Sequence, residues 1–226
     1  MTWKSKLLKN FKLYAVTDLK EKDPSFLKKA EAALSGGVDV LQLRSKVLKD
    51  GDFLRIGRAL RVLTRKMKKL FIVNDRLDLA EILDADGVHL GQEDIPVAQA
   101  RKILRIRSKF IGKSTHSLEQ ALEAEKEGVD YIGVGPVFST PTKPLYEPVG
   151  IDLVSRVADS VRIPFVAIGG IDAENMEQVL EAGARRVAVV RAIWGNSNTF
   201  KAAQKLKEIL NHHEMPILQV SRHQSH

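Results

Sequence analysis

The sequence predicts an α/β protein built as a single-domain, closed (β/α)8 (TIM) barrel, and three observations predict it. Apolar, β-branched runs recur eight times, each separated from the next by a segment of helical period. The runs are nearly continuous in hydrophobicity, as expected of parallel strands covered on both faces. One joint also repeats, in "SGGVDVLQLR" (35–44), "DADGVHLG" (84–91), "KEGVDYIGVG" (126–135) and "EAGARRVAVV" (181–190). Each reads as a helix ending at a glycine, a tight connection and a buried strand. An open doubly wound sheet fits less well, because no Gly-rich dinucleotide fingerprint follows the first strand, "KLYAVTD".

Taken in order, the candidate strands are 12–17, 39–44, 70–74, 87–90, 110–114, 131–135, 164–168 and 186–190, with helices near 25–35, 51–67, 77–83, 96–106, 117–127, 151–159, 173–181 and 198–210. A chain of 226 residues that is 44% hydrophobic can bury one large core. Residues 1–11 read as an N-terminal extension, 12–211 as the catalytic barrel, and 212–226 as a tail holding four of the six histidines.

There is no cysteine, which excludes disulfides, thiolate metal sites and a cysteine nucleophile. The N-terminal "MTWKSKLLKNFKLYAV" carries scattered lysines without an apolar signal core, and no run is long enough to span a membrane, so the expectation is a cytoplasmic protein with no membrane partner. A net charge of +8 and a pI near 9.6 suit an anionic ligand. Much of the charge falls in Arg58, Arg61, Arg65, Lys66, Lys68 and Lys69, and in Arg101, Lys102, Arg105, Arg107 and Lys109. That spacing suits solvated outer helix faces, and without interleaved aromatics it does not suit nucleic acid. The sequence is compatible with a homo-oligomer.

In such a barrel the chemistry sits where the strands exit, so the polar residues there are read together. In "LQLRSK", Gln42, Arg44 and Lys46 fall two apart and share one side of an extended chain, with Leu41 and Leu43 facing the helices. Cations pointed inward need an anion, either a ligand or an internal carboxylate such as Asp18 or Asp75. Asp75 and Asp94 follow the third and fourth strands, close enough to share a hard cation such as Mg2+, although Asp94 could instead cap a helix. Ser117 is a candidate N-cap, which leaves Ser114 for a ligand. Gly133 and Gly135 leave space inside the barrel. The long loop that follows delivers Thr140, Thr142 and Lys143, suited to a phosphate or a lid. Gly169 and Gly170 at the seventh exit, with the eighth exit beside them, could hold a phosphate through backbone N–H groups. Two anion sites and one metal are what joining two phosphorylated molecules requires.

The ordered motifs "QLRSK", "NDR", "GVHLGQED", "GKSTH", "GPVFSTPTK", "AIGGI" and "VAVVRAI" resemble the thiamine phosphate synthase (thiamine-phosphate pyrophosphorylase) family over roughly residues 12–210. The resemblance implies a (β/α)8 barrel that condenses 4-amino-5-hydroxymethyl-2-methylpyrimidine diphosphate with 4-methyl-5-(2-phosphoethyl)thiazole, giving thiamine phosphate and diphosphate. It implies Mg2+ held by Asp75 and Asp94. It implies pyrimidine diphosphate binding by Gln42, Arg44, Lys46, Asn74, Ser114 and Lys143, with Arg44, Lys46, Ser114 and Lys143 acting in catalysis. It implies thiazole phosphate binding by Thr140, Thr142, Gly170, Val190 and Arg191, the last standing where the family often has serine. The implied mechanism is dissociative. Diphosphate leaves, the aminopyrimidine stabilises the cation, and the unprotonated thiazole nitrogen attacks without a general base, so cations matter most where the leaving group gathers charge. The alternatives are a thiazole tautomerase-like paralogue, which has no use for a diphosphate clamp, another phosphate-binding barrel enzyme such as a phosphosugar epimerase, and a basic nucleic-acid-binding protein.

Overall fold

In the computed structural model, which describes residues 3–19, 23–104, 109–141 and 147–213, eight parallel strands close into a barrel in chain order. They are β1 (Leu13–Val16), β2 (Val40–Leu43), β3 (Leu70–Asn74), β4 (Gly87–Leu90), β5 (Phe110–Thr115), β6 (Tyr131–Val134), β7 (Phe165–Ile168) and β8 (Val187–Val189). The helices between them are α2 (Phe26–Ser35), α3 (Asp50–Lys66), α4 (Leu77–Ile82), α5 (Val97–Ile103), α6 (Leu118–Lys126), α7 (Gly150–Ser160) and α8 (Met176–Glu181). Before β1 comes α1 (Trp3–Asn10), and after β8 come the short α9 (Arg191–Trp194) and α10 (Thr199–His212). Every predicted strand and helix is present. Helices α1 and α9 were not predicted, since α1 is lysine-rich with little apolar period and α9 is a single turn. Helix α8 starts later than expected because Asp172 Oδ1 accepts the N–H groups of Glu174 and Asn175 (2.9 and 3.3 Å) and holds them in a capping turn.

The repeated joint has one physical cause. After α2, α3, α4, α6 and α8 the chain reverses through a left-handed residue: Gly37, Lys68, Asp84, Gly128 and Gly183, with φ of 118, 53, 48, 78 and 98°. At the second joint, therefore, the reversal is made by Asp84 and not by the glycine expected there. Gly87 instead opens β4, where a Cβ would lie 2.3 Å from the Phe110 carbonyl oxygen.

Strand parity divides the residues between two cores. Leu13, Leu41, Leu43, Phe71, Val73, Val88, Ile111 and Val134 face outward and pack with helix residues such as Ala30, Leu60, Ala100 and Val157. Tyr14, Val40, Leu70, Ile72, Phe110, Tyr131 and Val166 fill the barrel from within, with Leu8 of α1 and Phe11 beneath them. Phe11 meets Tyr14 and Tyr131 edge-on, at 5.9 and 6.3 Å between ring centroids. Lys4 on α1 pairs with Asp86 at 2.6 Å, and Arg186 Nη2 donates to the Lys9 carbonyl at 2.5 Å, which ties this floor to opposite sides of the barrel.

An aspartate precedes each of β2, β4 and β6. The Asp39 N–H donates to the Leu13 carbonyl and its carboxylate accepts the Leu13 N–H (2.9 and 3.2 Å). Asp86 does the same with Phe71 (2.8 and 2.9 Å), and Asp130 with Ile111 (2.8 and 2.7 Å). The next residues pair in identical register: Tyr14 with Val40, Ile72 with Gly87, and Gly112 with Tyr131.

Cations from the helices cover these carboxylates. Lys207 and Lys69 reach Asp39, Arg61 reaches Asp86 (2.8 Å), and Arg101 reaches Asp130 (2.5 Å). Here the structure corrects the expectation of purely solvated basic faces. Arg61 and Lys109 are buried, the latter donating to the Ala85 carbonyl at 2.9 Å, because carboxylates and carbonyls at the barrel base need them. Arg105 and Arg107 lie outside the described residues, as does the chain from 214 onward.

Burial alone would push the Asp39 carboxyl up, but the charge and hydrogen bond of Lys207, the Lys12 N–H and the charge of Lys69 together hold it below its ordinary value. Its stabilisation is therefore complete above the unfolded carboxylate value, about 4, and is lost as pH falls through the lower folded one. Asp39→Ala, which strands the Lys12 and Leu13 N–H groups, should cost about 3 kcal/mol in urea titrations at pH 7. The gap between wild type and Asp39→Ala should narrow below about pH 4. A pH-independent gap would assign the effect to packing.

Candidate functional site

At the C-terminal ends of the strands the barrel opens into a cavity of about 380 Å3. Eight of the eleven substrate-binding residues that the resemblance implies line it: Gln42 from β2, Arg44 just beyond it, Asn74 from β3, Ser114 from β5, Thr140 from the loop after β6, Gly170 after β7, and Val190 and Arg191 after β8. Asp75, Asp94 and Lys46 stand outside the lining. Thr142 and Lys143 lie outside the described residues.

The three polar residues after β2 separate. Gln42 is buried, with its Nε2 donating to the Tyr14 hydroxyl at 2.8 Å. Arg44 is also buried and meets Asp18 at 2.6 Å, so the internal carboxylate that could replace a ligand is present, while Arg44 still borders the cavity. Thr17 locks the Arg44 backbone, its hydroxyl accepting the Arg44 N–H and donating to the Arg44 carbonyl, both at 2.8 Å. Lys46 does not share their side. Strand β2 ends at Leu43, and the Ser45 hydroxyl turns the chain by donating to the Leu19 carbonyl (2.7 Å) and accepting from the Val47 and Leu48 N–H groups (3.2 and 3.0 Å). The strand alternation therefore stops before Lys46, which is exposed.

"NDR" divides in a similar way. Asn74 ends β3 facing the cavity. Asp75 takes a left-handed φ of 58° and gives its N–H to the His89 carbonyl at 2.9 Å. Arg76 turns outward to Asp50 (2.8 Å) and Asp78 (2.6 Å), and those two carboxylates raise its pKa. Asp94 does not cap α5. Its Oδ2 accepts the Gly91 N–H at 2.5 Å and closes the turn after β4. Asp75 and Asp94 thus follow the adjacent strands β3 and β4, with Asp75 joined to β4 through the His89 carbonyl. No group of three or more acidic or histidine side chains placed to hold a metal occurs among the described residues. Any ion held by these two carboxylates would have to complete its shell from waters and ligand oxygens, as Mg2+ commonly does.

Beneath the opening lies a polar row in which Tyr14, His89 and Tyr131 join Ser114 without belonging to the predicted site. His89 Nε2 meets the Ser114 hydroxyl at 3.0 Å, His89 Nδ1 meets the Tyr131 hydroxyl at 3.1 Å, and Tyr131 meets Tyr14 at 2.9 Å. Burial pushes both tyrosine pKa values well up, only partly offset for Tyr14 by its hydrogen bonds to Tyr131 and Gln42, so both remain protonated phenols. The signal was available in principle, since Tyr14 and His89 fall on inward positions of apolar strands. Gly112 makes the room: a Cβ there would lie 2.2 Å from Tyr131 Cζ and 2.6 Å from His89 Nδ1. Ser117 caps α6 as expected, accepting the Gln120 N–H at 3.2 Å, and the neighbouring His116 bonds the Gly135 carbonyl through Nδ1.

The loops after β6 and β7 grip one another. Val137 and Phe138 donate to the carbonyls of Ile168 and Gly169 at 2.9 and 3.0 Å, and Asn175 Nδ2 holds the Gly170 carbonyl at 2.8 Å. Gly169 and Gly170 have φ of 104 and 66°, and a Cβ on Gly170 would meet Phe138 Cβ and the Ser139 carbonyl at 2.7 Å. Bare backbone is therefore required where this loop borders the cavity.

A family model described as thiamine monophosphate synthase matches residues 13–193. The thiamine-phosphate synthase of Halalkalibacterium halodurans is 44% identical over 205 residues, covering 90% of this chain and 97% of that protein. The thiamine-phosphate synthase of Synechocystis is 46% identical over 199 residues and longer, so the match covers 88% of this chain but 57% of that protein. Among solved structures, a thiamine phosphate pyrophosphorylase from Pyrococcus furiosus superposes with a TM-score of 0.84 at 40% identity, covering 92% of this chain and all of that one.

Gly112→Ala should lower stability by about 1–3 kcal/mol, because the added methyl displaces Tyr131 or His89. Gly51→Ala, in open space on α3, should be neutral or stabilising by up to about 1 kcal/mol. Urea titration of the two variants checks the contrast, and equal stabilities would mean the interior has slack at Gly112.

Proposed function

The chain belongs to the thiamine monophosphate synthase family and is a transferase of that class, and on that premise we propose how its cavity works. The reading is that 4-amino-5-hydroxymethyl-2-methylpyrimidine diphosphate sits on the β2–β5 side, against Gln42, Arg44, Asn74 and Ser114. The phosphate of 4-methyl-5-(2-phosphoethyl)thiazole sits on the β6–β8 side, near Thr140, Gly170, Val190 and Arg191. The observation that carries this reading is the convergence of these eight residues, from the exits of β2, β3, β5, β6, β7 and β8, on one opening. Lys46, Thr142 and Lys143 belong to the proposal through the family motifs alone.

The chemistry follows from charge. The carbon–oxygen bond of the pyrimidine diphosphate breaks with both electrons leaving on diphosphate, and the lone pair of the thiazole nitrogen forms the new carbon–nitrogen bond. That nitrogen has no proton to lose, so no general base is needed. Arg44, already fixed by Asp18 and Thr17, offers a positive group without reorganising as charge builds. At the opposite side the Gly169–Gly170 backbone allows close approach of an anion, and Arg191 adds a cation where the family often has serine. Its guanidinium has no hydrogen-bonded or ion-paired partner among the described residues, leaving it to the ligand. Asp75 and Asp94 would hold Mg2+, for which two hard carboxylates on adjacent strand exits are a suitable donor set. When bound, the ion would neutralise charge on the diphosphate. The family is consistent with Mg2+ assistance, and the absence of a membrane-spanning helix among the described residues is compatible with a cytoplasmic enzyme.

The test is direct: purified protein, both phosphorylated substrates, and thiamine phosphate measured with Mg2+ or with chelator. Activity should require the metal, and Asp75→Asn should reduce kcat by about a hundredfold or more while thermal melting changes little. Full activity of Asp75→Asn would remove that carboxylate from the mechanism, and no product from wild type would refute the reading.

A further inference from the structure

The residues at the cavity mouth are the ones the proposed reaction uses, whereas Tyr14, Tyr131 and His89 beneath them have no task in it. Four consecutive hydrogen bonds join Gln42 on β2 to Ser114 on β5. They run from Gln42 Nε2 to the Tyr14 hydroxyl (2.8 Å), to the Tyr131 hydroxyl (2.9 Å), to His89 Nδ1 (3.1 Å), and from His89 Nε2 to Ser114 Oγ (3.0 Å). Proton counting sets their direction. An amide nitrogen only donates, so the Tyr14 oxygen accepts from Gln42. Tyr14 is buried, and its one proton goes to the Tyr131 oxygen. Tyr131 in turn donates to His89 Nδ1, which makes Nδ1 the accepting nitrogen of the imidazole. His89 Nε2–H then donates to Ser114, and the serine proton is left for the cavity. With Gln42 placed this way, the reverse assignment would leave the Tyr14 proton without an acceptor among the described residues.

We propose that Tyr14, Tyr131 and His89 are positioning residues forming a one-way hydrogen-bond wire. Through it the cavity presents Gln42 Oε1 as an acceptor and the Ser114 hydroxyl as a donor, and so selects a 4-aminopyrimidine over its 4-oxo counterpart. The inference rests on the reading of this side of the cavity as a pyrimidine site. A 4-aminopyrimidine has an amine to give and a ring nitrogen to accept. The 4-oxo form carries a carbonyl in place of the amine and a protonated ring nitrogen beside it, which inverts both. Tyr131 is the most telling member. It does not line the cavity, it is 1% exposed, and among the described residues its hydroxyl hydrogen-bonds to Tyr14 and His89. Gly112 clears the space that lets tyrosine and imidazole share one level.

The experiment measures calorimetric affinities for the 4-amino and 4-oxo pyrimidine diphosphates, without the thiazole, in wild type, Tyr131→Phe, Tyr14→Phe and the double variant. Wild type should prefer the amino ligand by about a hundredfold or more. Each single variant should cut that preference about tenfold, and the double variant by the same factor, since a wire cut once is already cut. Thermal melts check that the variants are folded, and His89→Gln, which cuts the wire at another link, is read the same way. An unchanged preference in Tyr131→Phe overturns the proposal, as does a double-variant loss near a hundredfold, the product of two independent contacts. So does a wild type that binds both ligands alike. A wild type that binds neither overturns the pyrimidine reading as well, a result distinct from lost selectivity.

Discussion

The arrangement rests on one contact made three times: an aspartate at the start of an even-numbered strand that both donates to and accepts from the same residue of the strand before it. Asp39 with Leu13, Asp86 with Phe71 and Asp130 with Ile111 each close this two-bond staple, and each is followed by the same step of register. In a parallel sheet a slip of one residue would turn every side chain to the wrong face. With the register fixed at the base, Gln42, His89 and Ser114 must point inward several residues later. The geometry at the mouth is thus set at the opposite end of the strands, where the cationic helix residues Lys207, Arg61 and Arg101 neutralise the carboxylates.

This separates stability from chemistry. The base is dense with paired charge and closed by Phe11, whereas the exits carry loops held to one another by backbone hydrogen bonds. Charge appears at both ends with different partners. Arg61 is committed to an internal aspartate, while Arg44 is anchored by Asp18 and still borders the cavity.

Much of this was legible in the sequence because period and parity are local properties. Continuous apolar runs located the eight strands, and the position of Gln42, Asn74 and Ser114 at their ends located the opening. What was not legible depends on contacts far apart in the chain. Lys46 was grouped with Arg44 by assuming that alternation continues, whereas the Ser45 turn ends it. Arg61 and Lys109 look like surface charges until Asp86 and the Ala85 carbonyl are seen behind them. The row from Tyr14 through Tyr131 to His89 joins residues of three strands, and the glycine that makes room for it, Gly112, belongs to a fourth. No spacing rule along the chain encodes such a set.

The helix before β1 carries a practical meaning. Phe11 and Leu8 are the cork under Tyr14 and Tyr131, and Lys4 and the Lys9 carbonyl fasten it to the rim. Trimming the protein to its eight strand–helix units would uncork the barrel from below. Water would then reach two phenols that are now buried, and a change made at the amino end would be felt at the opposite mouth.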